Sequence, residues 1–282
     1  MLKQTVPINV DDSINSGQVF LWEKFDKTWY GVNGKDILAV SSDPFEVLSY
    51  SKKSYDLFRN DDDFESIICD ITRDHVVKSA VKRFPGLRLL RQDPFQCYIS
   101  FIVSANSSIQ NIKKMLQKLC KMFGTKVRFN GNYFYLFPDA KKIASAKKYE
   151  LQSCGLGYRT KAVKKAAEAV VSGEIDFDFL RKADYYVAKE SLLKIFGIGN
   201  KVADCILLFS LEKLDAFPLD RWMLRVLHKY YADKFELNLK TLTEKRYEDL
   251  HQEIVKYFGP YAGYSQQFLF KMERELNQKK WL

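Results

Sequence analysis

The segment from Leu192 to Asp220 constrains this chain more than any other. It reads L-L-K-I-F-G-I-G-N-K-V-A-D-C-I-L-L-F-S-L and, after a short loop, F-P-L-D. An apolar helix stops at Gly197-Ile198-Gly199, and a second helix begins at once with Lys201 in its first turn. Two glycines around one apolar residue let the backbone bend tightly and approach a ligand. The N–H groups freed at the start of the next helix suit a phosphate. The positive end of the helix dipole and partial burial predict a depressed pKa for Lys201, and so a free amine able to act as a nucleophile. Cys205 follows at i+4 and projects from the same face. Asp220 opens a third helix, where a carboxylate caps the N-terminus and is held in place by doing so. Taken singly, such a lysine reads as a solvated surface group and such a cysteine as core.

The remainder of the chain divides into two parts. Val19–Trp22, Thr28–Val32 and Asp36–Val40 read as strands, with Asn33-Gly34 as a hairpin turn between the last two. A helix around Phe64–Ile71 is expected to pack on this sheet. From about residue 86 the pattern turns helical. Asp93-Pro94 reads as an N-cap followed by proline, opening a helix through Phe101. Ser107–Phe123 carries apolar residues at helical spacing with lysines opposite. Further helices are predicted at 140–146, 161–172, 177–182, 186–196, 200–211, 220–232, 243–257 and 262–276. The expectation is an α+β protein: a β-rich N-terminal domain over residues 1–85 and a helical region over 86–282, with its helix–hairpin–helix at about 186–211.

Composition narrows the function. The net charge of +10, from 45 basic and 35 acidic residues, favours a polyanionic partner, most simply nucleic acid. Lys113, Lys114, Lys118, Lys121, Arg159, Lys161, Lys164 and Lys165 cluster in the middle of the chain. No apolar run approaches the roughly 20 residues of a membrane span, and the N-terminus lacks a secretory h-region. An intracellular location follows, cytoplasmic or nucleoid-associated in a prokaryote. The five cysteines are dispersed without C-x-x-C spacing. Such a set argues for reduced thiols and against a disulfide framework, a zinc site or an iron–sulfur cluster.

The lysine after the hairpin and the aspartate 19 residues on resemble the helix–hairpin–helix (HhH-GPD) DNA glycosylase superfamily. The K-V-A-D-C run, Lys201 to Cys205, resembles its 8-oxoguanine glycosylase/lyases in particular. Four further motifs occur in family order: Ser16-Gly17-Gln18-x-Phe20-x-Trp22; Phe101-Ile102-x-Ser104-x-Asn106; Gly155-Leu156-Gly157-Tyr158-Arg159; and Gly259-Pro260-Tyr261-Ala262-Gly263 with Gln266 and Phe270. The resemblance implies an N-terminal antiparallel sheet domain like the TATA-binding protein fold, then two mostly α-helical subdomains with the active site between them. It implies a monomer that acts on double-stranded DNA containing 8-oxoguanine, with no catalytic metal or redox cofactor. The hairpin turn is a candidate site for a structural monovalent cation.

By the same resemblance, Lys201 is the nucleophile and Asp220 stabilises charge on the sugar. The flipped base lies between Cys205 and Phe270, Gln266 reads its Watson–Crick edge, and the Gly17 carbonyl accepts the N7–H that guanine lacks. Asn106 and Arg159 hold the orphaned cytosine, Tyr158 wedges beside the gap, and Gly197 and Gly199 face the DNA backbone. Three positions depart from relatives: Asn111 stands where some have a second cytosine-reading arginine, Ser107 and Ser108 replace asparagines, and Trp222 replaces a phosphate-contacting histidine. A monofunctional alkyl-base glycosylase would lack Lys201, and a non-catalytic hairpin module would have no use for Asp220, Gln266 and Phe270 in register.

Overall fold

A computed structural model describes residues 7–237 and 242–278. Helix α1 (Val10–Ile14) leads into an antiparallel sheet of β1 (Trp22–Phe25), β2 (Thr28–Asn33), β3 (Asp36–Ser42) and β4 (Phe45–Ser49), in that spatial order. Then come α2 (Phe64–Ile71), α3 (His75–Arg83), α4 (Pro94–Ser104) and α5 (Ile109–Phe123). A hairpin of β5 (Lys126–Phe129) and β6 (Asn132–Tyr135) precedes α6 (Ala140–Ser145), α7 (Lys148–Ser153) and α8 (Thr160–Ser172). The chain continues through α9 (Phe177–Lys182), α10 (Tyr185–Leu193), α11 (Asn200–Ser210), α12 (Arg221–Tyr230), α13 (Glu244–Phe258) and α14 (Ala262–Gln278).

The strand and helix classes follow the pattern of the sequence, with local corrections. The apolar run Val19–Leu21 is buried but lies outside the ladder, which begins at Trp22. A continuous apolar run signals burial, and burial alone does not make a strand. The hairpin turn sits one residue later than expected. Asn33 pairs with Asp36, so Gly34 and Lys35 form the loop, with Gly34 at φ +61°. Asn33 instead accepts a bond from the Asp93 N–H at 2.9 Å, and the Gly34 N–H donates to Gln96 at 2.8 Å. The turn is thereby docked on the start of α4, where Asp93 caps and Pro94 opens the helix as predicted. The β5–β6 hairpin was not legible in the helical half. It rests on the sheet through Tyr30, stacked on Phe134 at 5.4 Å.

Two cores result. Trp22, Trp29, Leu38 and Val40 line a small one with Val10, Ile14, Phe58 and Leu90. The larger core runs through the helices from α2 to α14, and α4, buried from Gln96 to Val103, is its axle. Around α4 pack α5, α8 and α11, with α10 on α11. A second group joins α2 and α3 to α12, α13 and α14. Helix α2, expected against the sheet, thus packs with α3 and α14, and residues from both sides of position 85 share one core. Lys201, on α11, belongs to the first group, and Gln266 and Phe270, on α14, to the second.

Candidate active site

The hairpin between α10 and α11 forms as the glycines dictate, but the two glycines differ. Gly197 has φ +92°, and a Cβ there would lie 2.5 Å from the Cβ of Ala162 on α8. It is required by both conformation and packing. Gly199 has ordinary extended backbone, and a Cβ there would meet open space. It caps α11 without a side-chain acceptor, so the first-turn N–H groups have no capping side chain. Such an uncapped, exposed helix start in a basic protein suits a phosphate.

Lys201 lies one turn before Cys205, and both Cys205 and Asp220 act on it electrostatically. Its Nζ stands 5.5 Å from the centre of the Phe101 ring, which is stacked between Phe209 at 5.4 Å and the edge of Phe20 at 5.6 Å. Phe20 of the S-G-Q-x-F-x-W motif therefore buttresses the floor under the lysine. The expected depression of the Lys201 pKa is overturned. Burial pulls it down, but Cys205 and Asp220 push it up by more, and the net shift is upward. Burial pushes the Cys205 thiol up to about 12, so at neutral pH it is uncharged. Cys205 and Asp220 together outweigh both desolvation and the helix end.

Asp220 caps α12, its Oδ1 accepting from the N–H groups of Trp222 and Met223, each at 2.9 Å. Burial raises its pKa, against the pull of Lys201, the two N–H groups and Arg274. The segment that presents it is held by a buried polar network that the sequence did not reveal. Asp204, fully buried on α11, accepts from Tyr185 and Tyr247, each at 2.6 Å, and pairs with Lys189 at 3.1 Å. The Tyr247 hydroxyl in turn accepts the Leu219 N–H at 3.0 Å, and His251 accepts the Phe217 N–H at 3.3 Å. Burial lowers the His251 pKa to about 4, which keeps the imidazole neutral and able to accept. Helices α10, α11 and α13 are thus locked to the strap that ends at Asp220. A carboxylate inside an otherwise apolar helix was the available signal.

Gly17 meets α14 from the other side. It has φ +89°, and a Cβ there would lie 2.6 Å from Arg274 Nη1 and 3.1 Å from Phe270 Cε1. Its neighbours hold it: Gln18 bonds the Ser13 and Arg88 carbonyls at 3.0 and 2.8 Å and the Leu90 N–H at 2.7 Å, while Gln267 on α14 donates to the Ser16 carbonyl at 3.0 Å. Gln266 is buried, and its Oε1 has no hydrogen-bond partner. A buried amide acceptor left open is costly unless something else fills it. Asp220 thus feels the charges of both Lys201 and Arg274, and Arg274 and Phe270 crowd Gly17, with Gln266 one turn before Phe270.

A separate cluster gathers the other predicted residues. Asn106 is exposed with φ +49°, a conformation asparagine tolerates. The Ala105 carbonyl accepts from Tyr158 at 3.0 Å and from Arg159 Nε at 2.9 Å, and Arg159 also reaches the Asn106 carbonyl at 3.1 Å. Tyr158 is 67% exposed, consistent with a wedge and inconsistent with a core tyrosine. Beside them opens a cavity of about 410 Å³ lined in part by Asn111, Lys114, Lys118 and Arg159. The basic cluster is only partly free: Lys113 pairs with Glu23 at 3.0 Å, Lys164 donates to the Ala146 carbonyl at 2.7 Å, and Lys165 pairs with Glu168 at 2.8 Å. Among the described residues no group of His, Cys, Asp or Glu could hold a metal, and no helix is long and apolar enough to cross a membrane.

Sheet, hairpin, lysine and aspartate together define the class, a helix–hairpin–helix protein of base excision repair. Residues 99–253 match the family model of the HhH-GPD superfamily base excision DNA repair proteins, and residues 1–98 match the 8-oxoguanine DNA glycosylase N-terminal domain. The chain belongs to the HhH-GPD superfamily. It is similar to the N-glycosylase/DNA lyase OGG1 of Arabidopsis thaliana, 29% identical over 92% of this chain and 75% of that protein. Among solved structures, MBOgg1 in complex with a low-affinity DNA ligand aligns with TM-score 0.86 and 29% identity, over 96% of this chain and 94% of that one. The Clostridium acetobutylicum 8-oxoguanine glycosylase/lyase, in complex with double-stranded DNA containing cytosine opposite 8-oxoG, aligns with TM-score 0.85 and 28% identity, over 96% and 93% of the two chains.

Proposed function

We propose that this protein excises 8-oxoguanine from duplex DNA, preferentially opposite cytosine, and then nicks the strand as an abasic-site lyase. The observation that carries the reading is that Lys201 and Asp220, on the helices that follow the hairpin, are both buried and feel each other's charge. The family and the glycosylase/lyase relatives support it. The target nucleotide must leave the duplex. Tyr158 fills the gap, and Asn106 and Arg159 bond the orphaned cytosine. Asn111 lines the cavity beside them where some relatives carry a second arginine, so discrimination against other opposite bases is weaker. The flipped base enters between Cys205 and Phe270. The open Gln266 Oε1 accepts from its Watson–Crick edge, and the Gly17 carbonyl accepts N7–H. Guanine N7 has no proton, so there two acceptors would face each other.

Lys201 first gives up a proton. Its neutral amine attacks C1′, the bond from C1′ to N9 breaks, and the base departs with the electron pair and takes up a proton. Asp220 stabilises the positive charge on the sugar as that bond lengthens. The sugar ring opens to a Schiff base on Lys201. Loss of a C2′ proton then expels the 3′ phosphate, and water releases the lysine. Gly197 and Gly199 bring the hairpin to the DNA backbone, and its turn carbonyls are a candidate site for a monovalent cation. All these residues come from one chain, so a monomer suffices. The substrate places the protein with the genome, inside the cell.

The test is borohydride trapping on a duplex with one 8-oxoguanine opposite cytosine, beside an undamaged control. A covalent adduct on the damaged duplex alone, lost in Lys201→Gln, is expected. Near-normal excision by that variant would overturn the role of Lys201.

A further inference from the structure

Arg274 lies on the face of α14 that carries Gln266 and Phe270, at i, i+4 and i+8. Its Nη1 is buried and has no hydrogen-bond partner, and it presses on Gly17, 2.6 Å from where a Cβ would stand. The guanidinium carbon lies 5.5 Å from the centre of the Phe270 ring. Burial lowers the Arg274 pKa, and the charge of Asp220 counters this. Arginine stays charged in proteins, so a cationic donor is buried with the N–H groups of Nη1 unused. Leaving such a donor unsatisfied is costly, and a ligand that accepts from it recovers that cost.

What could accept there follows from the reading of the site proposed above, on which this inference rests. Gly17 is assigned to the N7–H of the oxidised purine. In 8-oxoguanine that N7–H is flanked by two carbonyl oxygens, O6 and O8. A donor pressed against Gly17 meets one of them. When the bond from C1′ to N9 breaks, the departing base carries the electron pair, and its negative charge spreads onto those oxygens. We propose that Arg274 is a further catalytic residue, donating from Nη1 to a carbonyl oxygen beside N7–H and stabilising the charge on the leaving base. A preorganised donor aimed at developing charge in a dry site acts more strongly in the transition state than in the ground state.

The two half-reactions separate this role from a structural one. Base excision needs the leaving group; β-elimination at a preformed abasic site has no base in the pocket. Single-turnover excision of 8-oxoguanine and strand nicking at an abasic site are measured for the wild type, Arg274→Met and Arg274→Lys. For Arg274→Met we expect excision to fall roughly 100-fold and the ratio of excision to nicking to fall at least tenfold, with partial recovery in Arg274→Lys. A duplex carrying 8-oxoadenine, which has O8 but no O6, identifies the oxygen. In a Lys201→Gln background, Arg274→Met weakens binding of both lesions if O8 is the acceptor, and of 8-oxoguanine alone if it is O6. Equal loss of excision and nicking would mean that Arg274 acts through Asp220 or through packing, and would overturn the proposal. So would undiminished excision. If the wild type itself excises no 8-oxoguanine, the substrate reading fails, and this inference with it.

Discussion

Removing the charge of Asp204 tests whether the buried network sets the position of the candidate catalytic carboxylate. Asp204→Asn keeps an acceptor for Tyr185 or Tyr247 but leaves Lys189, whose side chain is only 6% exposed, without a counter-charge. Breaking one side of a buried pair costs about 3–5 kcal/mol, because the remaining charge is uncompensated. For a chain of this size each kcal/mol moves Tm by roughly 2–4 °C, so a fall of about 6–20 °C is expected. The double variant Lys189→Met with Asp204→Asn removes the stranded charge and should regain most of that loss. Urea denaturation of the four proteins in the cycle gives the coupling directly. The Leu219 N–H bonds Tyr247, which bonds Asp204, so slackening there reaches Asp220 within one residue. Single-turnover excision in the stabilised double variant should therefore remain below wild type. A cost under about 1 kcal/mol for Asp204→Asn would refute the view that the pair is buried and uncompensated without its partner.

Asp220→Asn should abolish excision while leaving Tm at neutral pH unchanged or higher. Asparagine still caps α12, and the raised pKa of Asp220 means that its ionised form costs stability above the ordinary carboxylate range. That advantage should shrink as pH falls through the folded-state pKa, which melting curves from pH 7 to pH 4 would show. Lys201 is held protonated beyond its ordinary range, so the single-turnover excision rate should climb with pH on the alkaline side; a rate flat from pH 7 to pH 10 would count against an amine nucleophile. Gly197→Ala combines a positive φ with a Cβ 2.5 Å from Ala162 and should destabilise by about 1–3 kcal/mol. Gly199→Ala meets open space and should spare stability, so any loss it causes should show in DNA affinity.

The sequence by itself determined most of the element classes and the superfamily. The period of apolar residues is local, as are capping residues such as Asp93 and Asp220 and the glycines that a hairpin demands. A lysine and an aspartate at a fixed spacing around that hairpin are a local signal too. Element ends shifted by one to three residues, and the turn after β2 moved by one, because Asn33 is recruited by the start of α4. The β5–β6 hairpin and the packing of α2 on α14 were decided by long-range contacts. So was the protonation of Lys201: burial and the helix dipole were foreseeable, but Cys205 and Asp220 together outweigh them, and Asp220 is brought across from another helix. Asp204, Tyr247 and His251 read as isolated polar residues along the chain, and Arg274 as one more surface cation. Only tertiary structure, by excluding water from all of them at once, made the first three a single network and turned the fourth toward the pocket.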